Sequence, residues 1–336
     1  MIVSADLFRS DELLGWASVN KVEGVCEISG WEENLIDTLQ LADFFLTLFS
    51  LYEADANGRP LGKCIQQDWR LCVKDAYADA VLPRLIAETG FALAANEKVN
   101  YKDDVLEPCE RWHDIKKTLR TERRFFAGDL IQDEDQWDVF FASNYTIKKN
   151  TLFKRARINE DENKLYSEEK DLGMPPADKT PSGRANTYGI PYLYLGSDDE
   201  TVMYESRALM KDILSVASFR ITADLDVVDF TFKPDLFAVF QLSKEDFLSE
   251  IQRYVFLDVV ASDLSKAVRR YDNKEIDYLP TQFVCEYIRL VTAAKGLIFK
   301  SAQYPEGKNI VLFDDKNVHF EGVAHREVGS VKMAYA

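Results

Sequence analysis

The sequence of 336 residues predicts an α+β protein, with a helical N-terminal domain followed by a mixed α/β domain. Apolar residues recur at helical spacing through the first 125 residues. Short runs typical of β-strands begin only after residue 150, and helical patterns lie between them. The predicted organisation is a helical domain (1–128), an acidic connector (129–150), a mixed domain (151–320) and a C-terminal tail (321–336).

The N-terminal domain contains three helical patterns. Pro83 is expected to kink the second pattern, and Gly90 to end it. The third is strongly charged, and its spacing directs Trp112, Ile115 and Leu119 inward. The patterns cover residues 35–54, 64–89 and 107–126.

The mixed domain is divided into strand-like and helical runs, with one long loop. The loop at 171–191 contains four prolines and three glycines, and Arg184 and Asn186 lie within it. A loop of this length is either a mobile surface excursion or a binding loop. The strand-like runs lie at 151–158, 191–195, 218–222, 226–230, 296–302 and 309–313, and the helical patterns at 199–215, 243–260 and 280–293.

The net charge limits the classes of ligand. Lysine and arginine number 41 against 57 aspartates and glutamates, which gives a net charge of −16. Because nucleic-acid binding needs a basic surface, we expect no nucleic-acid partner. A small anionic ligand remains compatible with this charge, since a few well-placed arginines can hold it.

Cysteine and histidine usage indicates neither disulfides nor a metal site. The five cysteines are odd in number and form no CxxC pair, which is typical of buried thiols in a reducing cytosol. His113, His319 and His325 lack the spacing of zinc ligands, so we expect no metal.

The N-terminus shows no signal-peptide pattern, and the most apolar stretch carries Asp37 and Asp43. We therefore expect a cytoplasmic protein without a membrane partner.

Several side chains are candidates for chemistry on their residue type and position. Glu205 falls on a mostly apolar helical face, where a carboxylate needs a partner; the alternative is a surface ion pair with Arg207 or Lys211. Arg155 and Arg157 alternate along a strand-like run and suit either phosphate binding or surface ion pairs. The other candidates are Arg184 in the loop, Tyr194 at a strand end, which is either core or a stacking surface, and Ser301 beside a turn. The motifs GxSxG, GxGxxG and GxxxxGK[ST] do not occur.

Four blocks follow one another along the chain: LFKRAR (152–157), SGRANTYGIPYLYLGSDDETVMYESR (182–207), YLPTQFVCEYIR (278–289) and GLIFKSAQYPEGKNIVLF (296–313). In this order they strongly resemble the RES domain family, which is named for an arginine, a glutamate and a serine. The resemblance covers about residues 150–315 and implies a fold similar to that of ADP-ribosyltransferase toxins. The family includes toxins of toxin–antitoxin systems that consume NAD by phosphorolysis or hydrolysis of the nicotinamide–ribose bond.

The resemblance implies a role for each candidate. The family glutamate and serine match one residue each, the family arginine matches either arginine of LFKRAR, and an aromatic of the nicotinamide site matches the tyrosine of YLYLG. The GR-x-N pattern of the family lies in the long loop. These matches give the catalytic candidates Glu205, Arg155, Arg157 and Ser301, and the substrate-binding candidates Tyr194, Arg184 and Asn186.

The implied chemistry suits these residue types. Cleavage builds positive charge on the ribose, which Glu205 could stabilise, while an arginine binds the diphosphate or inorganic phosphate. Tyr194 would stack on nicotinamide and Ser301 would orient a phosphate or ribose oxygen. NAD is then a substrate, inorganic phosphate an optional co-substrate, and no cofactor is expected.

The chain also departs from compact family members. It has a long spacer between Glu205 and Ser301, and its N-terminal part resembles the helical HEPN-type domain of longer members, without the Arg-x4-6-His motif of HEPN ribonucleases in residues 1–125. ADP-ribosyl transfer to a macromolecule and an inactive RES interaction module are the alternative functions. NAD is the expected small-molecule partner, and an antitoxin or other regulatory protein and a second copy of the chain are alternative protein partners that the sequence leaves open.

Overall fold

The computed structural model of the chain describes residues 1–125, 128–131, 134–161, 163–241, 244–266 and 273–330. The fold is α+β, as the sequence predicts. The helices are α1 (Asp11–Val19), α2 (Ala42–Phe49), α3 (Leu61–Trp69), α4 (Asp75–Glu88), α5 (Asp103–Thr121), α6 (Glu134–Phe140), α7 (Glu169–Leu172), α8 (Asp199–Glu205), α9 (Leu236–Phe240), α10 (Lys244–Leu264), α11 (Lys274–Asp277) and α12 (Leu279–Val291). The strands are β1 (Ile2–Ser4), β2 (Leu35–Asp37), β3 (Tyr52–Pro60), β4 (Lys98–Tyr101), β5 (Tyr145–Ile147), β6 (Leu152–Ile158), β7 (Leu193–Gly196), β8 (Ile213–Ile221), β9 (Leu225–Asp229), β10 (Gly296–Lys300), β11 (Lys308–Leu312) and β12 (Val318–Glu327).

The chain divides into two compact units, and neither is continuous in sequence. Unit 1 comprises Met1–Glu110 and Lys233–Phe256, and unit 2 comprises Arg111–Phe232 and Leu257–Ala336, each as far as its residues are described. The boundaries therefore differ from the predicted succession of domains. Part of the long spacer between Glu205 and Ser301 belongs to the same unit as the N-terminal helices.

The core of unit 1 joins its two segments. The Phe44 ring of α2 lies 5.4 Å from that of Phe237 and 5.2 Å from that of Phe240, centroid to centroid. Phe44 and Phe237 are buried, and aromatic pairs in such edge-on geometry stabilise a core beyond their buried area. Two small antiparallel sheets, β1–β2 and β3–β4, accompany the helices, so the predicted helical domain also contains strands.

The first helical pattern is shorter than the sequence predicts. Leu35 and Ile36 lie in β2, where Leu35 is opposite Ser4 of β1. Asp37 then accepts a hydrogen bond of 3.1 Å from the backbone N–H of Leu39 and caps a 3-10 turn, and α2 begins at Ala42. A short strand followed by a turn can place leucines at the same spacing as a helix, so periodicity alone did not separate the two.

The second pattern is two helices, and the third is one helix, α5, which begins four residues before the predicted start and ends at Thr121; the predicted end at residue 126 lies outside the described residues. Helix α3 ends where Arg70 adopts a left-handed φ of 53°, whereas α4 continues through Pro83. Gly90, with a φ of 68°, follows the end of α4, as predicted. In α5 the predicted inward residues Trp112, Ile115 and Leu119 are all buried.

Unit 2 is built on an eight-stranded mixed sheet. The strand order is β12-β8-β6-β7-β11-β10-β9-β5, and the β9–β10 pair is parallel while the other pairs are antiparallel. A hydrophobic core lies against the sheet, with Leu193, Phe219 and Ile310 among its buried members. Helix α12 is also largely buried along one side, with Val284 and Ile288 fully enclosed.

All six predicted strand runs are strands in the structure, but the helices between them differ in their bounds from the prediction. The predicted helix 199–215 stops at Glu205, because Arg207 takes a φ of 55° and β8 begins at Ile213. Helices α10 and α12 correspond to the other two predicted helices; the predicted start at residue 243 lies outside the described residues.

Two strands of the sheet were not predicted. Strand β5 lies in the predicted connector, together with α6; residues 132–133 of that connector are outside the described part of the chain. Strand β12 extends to Glu327, into the predicted tail, and Gly322, with a φ of 133°, breaks its alternation at a bulge. Residues 331–336 of that tail are likewise not described.

No helix in the described parts of the chain is long and apolar enough to span a membrane. The most apolar prediction, residues 35–54, is divided among β2, α2 and the start of β3.

Candidate functional site

The sheet of unit 2 is weakly joined at its centre, and a cleft lies beside this junction. Strand β6 pairs with β8 along its whole length but with β7 at one position, where Lys154 is opposite Gly196. The cleft has a volume of about 340 Å³. Its walls are formed by Arg155, Ala156, Arg184, Tyr194, Leu195, Gly196, Val202, Glu205, Ser206, Phe299 and Asn309. Four of the seven sequence-predicted site residues thus line one cavity: Arg155, Arg184, Tyr194 and Glu205.

Local sequence brings Glu205 to this cleft. Gly196 ends β7, and a Cβ there would lie 2.6 Å from Val202 Cγ1, so only glycine lets α8 pack this closely on the strand. Asp198 caps α8 by accepting a hydrogen bond of 2.7 Å from the backbone N–H of Thr201. Glu205 is the last residue of this short helix.

Three donors hold one oxygen of the Glu205 carboxylate. The Ser301 hydroxyl donates to Oε1 at 2.6 Å, the Ala302 backbone N–H at 3.1 Å, and the Asn309 side-chain amide at 2.9 Å. Oε2 has no hydrogen-bond partner among the described residues, and Glu205 itself lines the cleft. Lys211, a predicted alternative partner, pairs instead with Glu327 at 2.6 Å. The carboxylate is therefore fixed through one oxygen while the other is available to a ligand.

Ser301 lies at the end of β10, and its hydroxyl is fully used by the protein. It donates to Glu205 and accepts from the backbone N–H groups of Gln303 at 3.2 Å and Tyr304 at 3.0 Å. A hydroxyl has one donor and two acceptor positions, so none remains for a ligand. The geometry accordingly gives Ser301 a contact with Glu205, and not the contact with a phosphate or ribose oxygen that the resemblance implied.

The two candidate arginines of β6 occupy different surroundings. Arg155 lines the cleft, and its Nη1 is buried without a hydrogen-bond partner among the described residues. Burial, and then the charge of nearby Arg157, lower the pKa of Arg155 to about 10, so its guanidinium still carries a charge at neutral pH. The Arg157 guanidinium lies 5.7 Å from the centroid of the Tyr166 ring and is not part of the cleft wall.

Tyr194 presents its ring to the cleft while its hydroxyl is held by the protein. The hydroxyl donates to Asn186 Oδ1 at 2.7 Å and accepts from the Ala185 N–H at 3.0 Å. A Cβ on Gly183 would lie 2.5 Å from Asn186 Oδ1 and 2.6 Å from the Tyr194 hydroxyl, so this network needs a glycine there. Burial raises the pKa of Tyr194, which keeps the hydroxyl a neutral donor.

Asn186 is a structural residue of the long loop. Its side-chain Nδ2 donates at 3.0 Å to the carbonyl groups of Pro181, Thr187 and Ile190, and the residue is buried. Its contact with the cleft passes through Tyr194.

Helix α12 fixes the part of the loop that carries Arg184. Gln282 donates its amide to Ser182 Oγ at 2.9 Å and to the carbonyl of Gly183 at 2.7 Å, and Thr281 donates to the Arg184 carbonyl at 2.7 Å. The Arg184 guanidinium donates to the Lys266 carbonyl and lies 5.2 Å from the Tyr278 ring centroid. Burial lowers the pKa of Arg184, and the charge of Glu205 is among the groups that oppose this.

Sequence reasoning missed three residues that build the site. Asn309, Gly183 and Gln282 all lie within the four quoted blocks. Their side-chain contacts join residues about 100 positions apart, or depend on a close approach, so no spacing in the sequence reveals them. An asparagine inside an apolar strand such as KNIVL was the one available signal for Asn309.

The side chains that line the cleft indicate the kind of ligand that it can bind. The cavity presents one carboxylate, two guanidinium groups and two aromatic rings, a lining suited to a small ligand with anionic and flat parts. No group of three or more His, Cys, Asp or Glu side chains is arranged to hold a metal ion in the described ranges.

The RES domain family model matches residues 156–332, more than half of the chain, and the chain belongs to this family. The resemblance drawn from the four blocks is thereby confirmed, and the membership is consistent with an NAD-related, toxin-like function in general. The match begins at Ala156, so it includes Arg157 and stops one residue short of Arg155, whereas the cleft geometry favours Arg155. Comparisons with curated proteins and with solved structures gave no match.

Proposed function

We propose that this chain degrades NAD by cleaving the nicotinamide–ribose bond, by phosphorolysis or hydrolysis, and acts as a toxin or a stress or defence effector. The observation that carries the proposal is one cleft lined by the Glu205 carboxylate, the Tyr194 ring and Arg155, whose Nη1 has no hydrogen-bond partner within the described ranges. Family membership supports the same substrate class.

In this proposal Glu205 stabilises the transition state electrostatically. The C–N bond breaks with its electron pair leaving on nicotinamide, which departs neutral, and positive charge develops on the ribose. Glu205 Oε2 has no hydrogen-bond partner among the described residues and serves the ribose hydroxyls and the developing cation. No strong general acid is required for a neutral leaving group.

Arg155 and Arg184 hold the anionic part of the substrate. Their two positive charges match the two negative charges of a diphosphate, and a guanidinium donates in pairs to phosphate oxygens. The buried Nη1 of Arg155 acquires a partner when an anion binds. In phosphorolysis a phosphate oxygen bonds to the ribose carbon; in hydrolysis water does so and releases a proton.

Tyr194 provides the flat surface for nicotinamide. Its hydroxyl is held by Asn186 and Ala185, so the ring orientation is fixed before the ligand enters. Phe299, which is buried in the same cleft wall, adds a second aromatic ring to the lining.

The experiment is phosphorus NMR with a nicotinamide assay on the full chain, incubated with NAD with and without inorganic phosphate. A sugar-phosphate product that appears only with phosphate establishes phosphorolysis, and free ADP-ribose in both conditions establishes hydrolysis. NAD that stays intact in both conditions contradicts the proposal, and a protein-bound ADP-ribose product favours the transferase alternative instead.

Glu205→Gln is the decisive variant. It keeps the shape and the hydrogen bonds to Oε1 but removes the charge, so we expect nicotinamide release to fall by at least about 100-fold. The matched control is Glu200→Gln in the same helix, whose side chain is exposed, and it should keep wild-type turnover and growth toxicity on expression. Full turnover by a folded E205Q protein would remove Glu205 from the mechanism.

A further inference from the structure

Asn309 is a cleft residue with a contact that no sequence pattern assigned. It lies in β11, where it pairs with Gly196 of β7 on one side and Phe299 of β10 on the other. Its side-chain amide donates to Glu205 Oε1 at 2.9 Å, and it lines the cleft. It therefore approaches the carboxylate from a different strand than Ser301, which follows β10.

The hydrogen-bond donors around Glu205 determine which of its carboxylate oxygens faces the cleft. Ser301 and Asn309 both donate to Oε1, and the Ala302 N–H adds a third bond to the same atom. Two side-chain donors from different strands restrain the rotation of the carboxylate about its last torsion, which is otherwise broad. Removing either side-chain donor leaves Oε1 with two of its three hydrogen bonds and weakens this restraint.

We propose that Asn309 is a positioning residue that, with Ser301, locks Glu205 so that Oε2 alone faces the substrate. The proposal deepens the proposed function and rests on it for its activity readout, but not for its spectroscopic one. Asn309 acts through Glu205, because its amide hydrogen bond is made to that carboxylate.

Asn309→Asp tests this role because it keeps the shape and replaces the donor with a second carboxyl group. Two carboxyl groups at hydrogen-bonding distance cannot both be ionised without strong repulsion, so they share one proton. With that proton present, the introduced group can still donate to Oε1 and Glu205 stays charged. When the proton is lost at higher pH, the donor is lost and the carboxylates repel.

The charged groups around the pair keep constant charge over the test range. They are Arg155 from β6 and Arg184 from the long loop, the charged side chains of the cleft wall other than Glu205. Tyr194 of β7 has its pKa raised by burial and remains neutral. A pH dependence that appears between about pH 5 and 8 therefore reports the carboxyl pair.

The first readout is carbon NMR of glutamate labelled at the carboxyl carbon, with the Glu205 signal identified by its absence in E205Q. We expect the Glu205 signal of N309D to show an additional titration step that the wild type lacks, at the pH where the shared proton leaves the pair. The control N317D makes the same charge change in the same unit outside the cleft wall and should leave the Glu205 titration unchanged. Identical Glu205 titrations in wild type and N309D would overturn the proposal, whether or not the chain cleaves NAD.

The second readout is the pH profile of kcat for NAD cleavage. The ratio of N309D to wild-type kcat should fall at least about tenfold as pH rises through the shared-proton range, and N309A should lose kcat by a constant factor at every pH. A residue with a merely structural role would lower stability without moving the pH profile. A flat N309D ratio in an active enzyme contradicts positioning, whereas an inactive wild type contradicts only the proposed function.

Discussion

The buried Arg155 guanidinium destabilises the fold of the unliganded protein, and a bound anion can remove this destabilisation. In the part of the chain that the structure describes, its Nη1 is buried without a hydrogen-bond partner, and burial lowers the pKa of the group to about 10. A buried polar group without a hydrogen bond destabilises a fold by about 1–3 kcal/mol. Arg157, in contrast, lies over the Tyr166 ring and has a favourable neighbour already. The difference separates two arginines that the LFKRAR pattern left equivalent.

Arg155→Met should therefore raise stability while it removes function. We expect the melting temperature of the unliganded protein to rise by about 1–3 °C, because about 1 kcal/mol moves it by about 2 °C in a chain of this size. The apparent KM for NAD should rise at least about tenfold, the loss expected for one charge-assisted hydrogen bond. Thermal scanning with and without pyrophosphate, beside steady-state kinetics, measures both effects.

Arg157→Met is the matched control for this prediction. It changes the same residue type two positions along the same strand, and the KM for NAD should stay within about threefold of wild type. Pyrophosphate should stabilise wild type and R157M but not R155M. If R157M shows the larger loss of NAD affinity, the roles of the two arginines are reversed.

The element that matters most to the site is the long loop held by α12. Neither the loop nor the helix positions Arg184 alone. Thr281 and Gln282 of α12 donate hydrogen bonds to residues 182–186 of the loop. Gly183 leaves space for the Tyr194 hydroxyl. The sequence identified the loop as rich in prolines and glycines and residues 280–293 as a helix, because both properties are local. The hydrogen bonds that join them span about 100 residues and were not predictable from either pattern.

Gln282→Ala should loosen this loop. The substitution removes the donors to Ser182, Gly183 and Asn186 from a buried position, and leaving those acceptors unpaired costs about 1–3 kcal/mol. Because Arg184 is displaced with the loop, we expect the KM for NAD to rise about tenfold with a smaller change in kcat. Chemical denaturation and steady-state kinetics measure the two effects, and E286A, on the exposed side of α12, is the control that should change neither.

At the scale of the whole molecule, secondary structure was more predictable than domain boundaries. The six predicted strands follow from short apolar runs bounded by turns, whereas β12 was missed because its alternation is interrupted at Gly322 and its residues are partly charged. The units could not be predicted, because residues 233–256 lie inside the family match yet pack with Phe44 of the N-terminal segment. A contact between segments that are distant in sequence does not alter the hydrophobic periodicity of either segment, so the sequence pattern does not reveal it.

Because unit 1 consists of two segments that are separate in sequence, we expect these two segments to unfold together. Phe44→Ala removes the ring that packs on Phe237 and Phe240, at a cost of about 3–5 kcal/mol for a buried phenylalanine. Because both segments share that core, amide hydrogen exchange should accelerate in α2 and α9 together, while β6 and β11 of unit 2 keep their protection. Hydrogen–deuterium exchange with mass spectrometry on the full chain measures this directly.

Phe219→Ala provides the opposite perturbation in the same chain. Phe219 is buried in the core of the eight-stranded sheet, so its removal should accelerate exchange in β6 and β8 and leave α2 and α9 protected. Two variants with complementary patterns would establish that the segment 233–256 unfolds with residues 1–110, although the family match encloses it. Faster exchange in α2 alone after F44A, with α9 unchanged, would instead make residues 233–256 an independent insertion, and the core assigned to unit 1 would have to be divided.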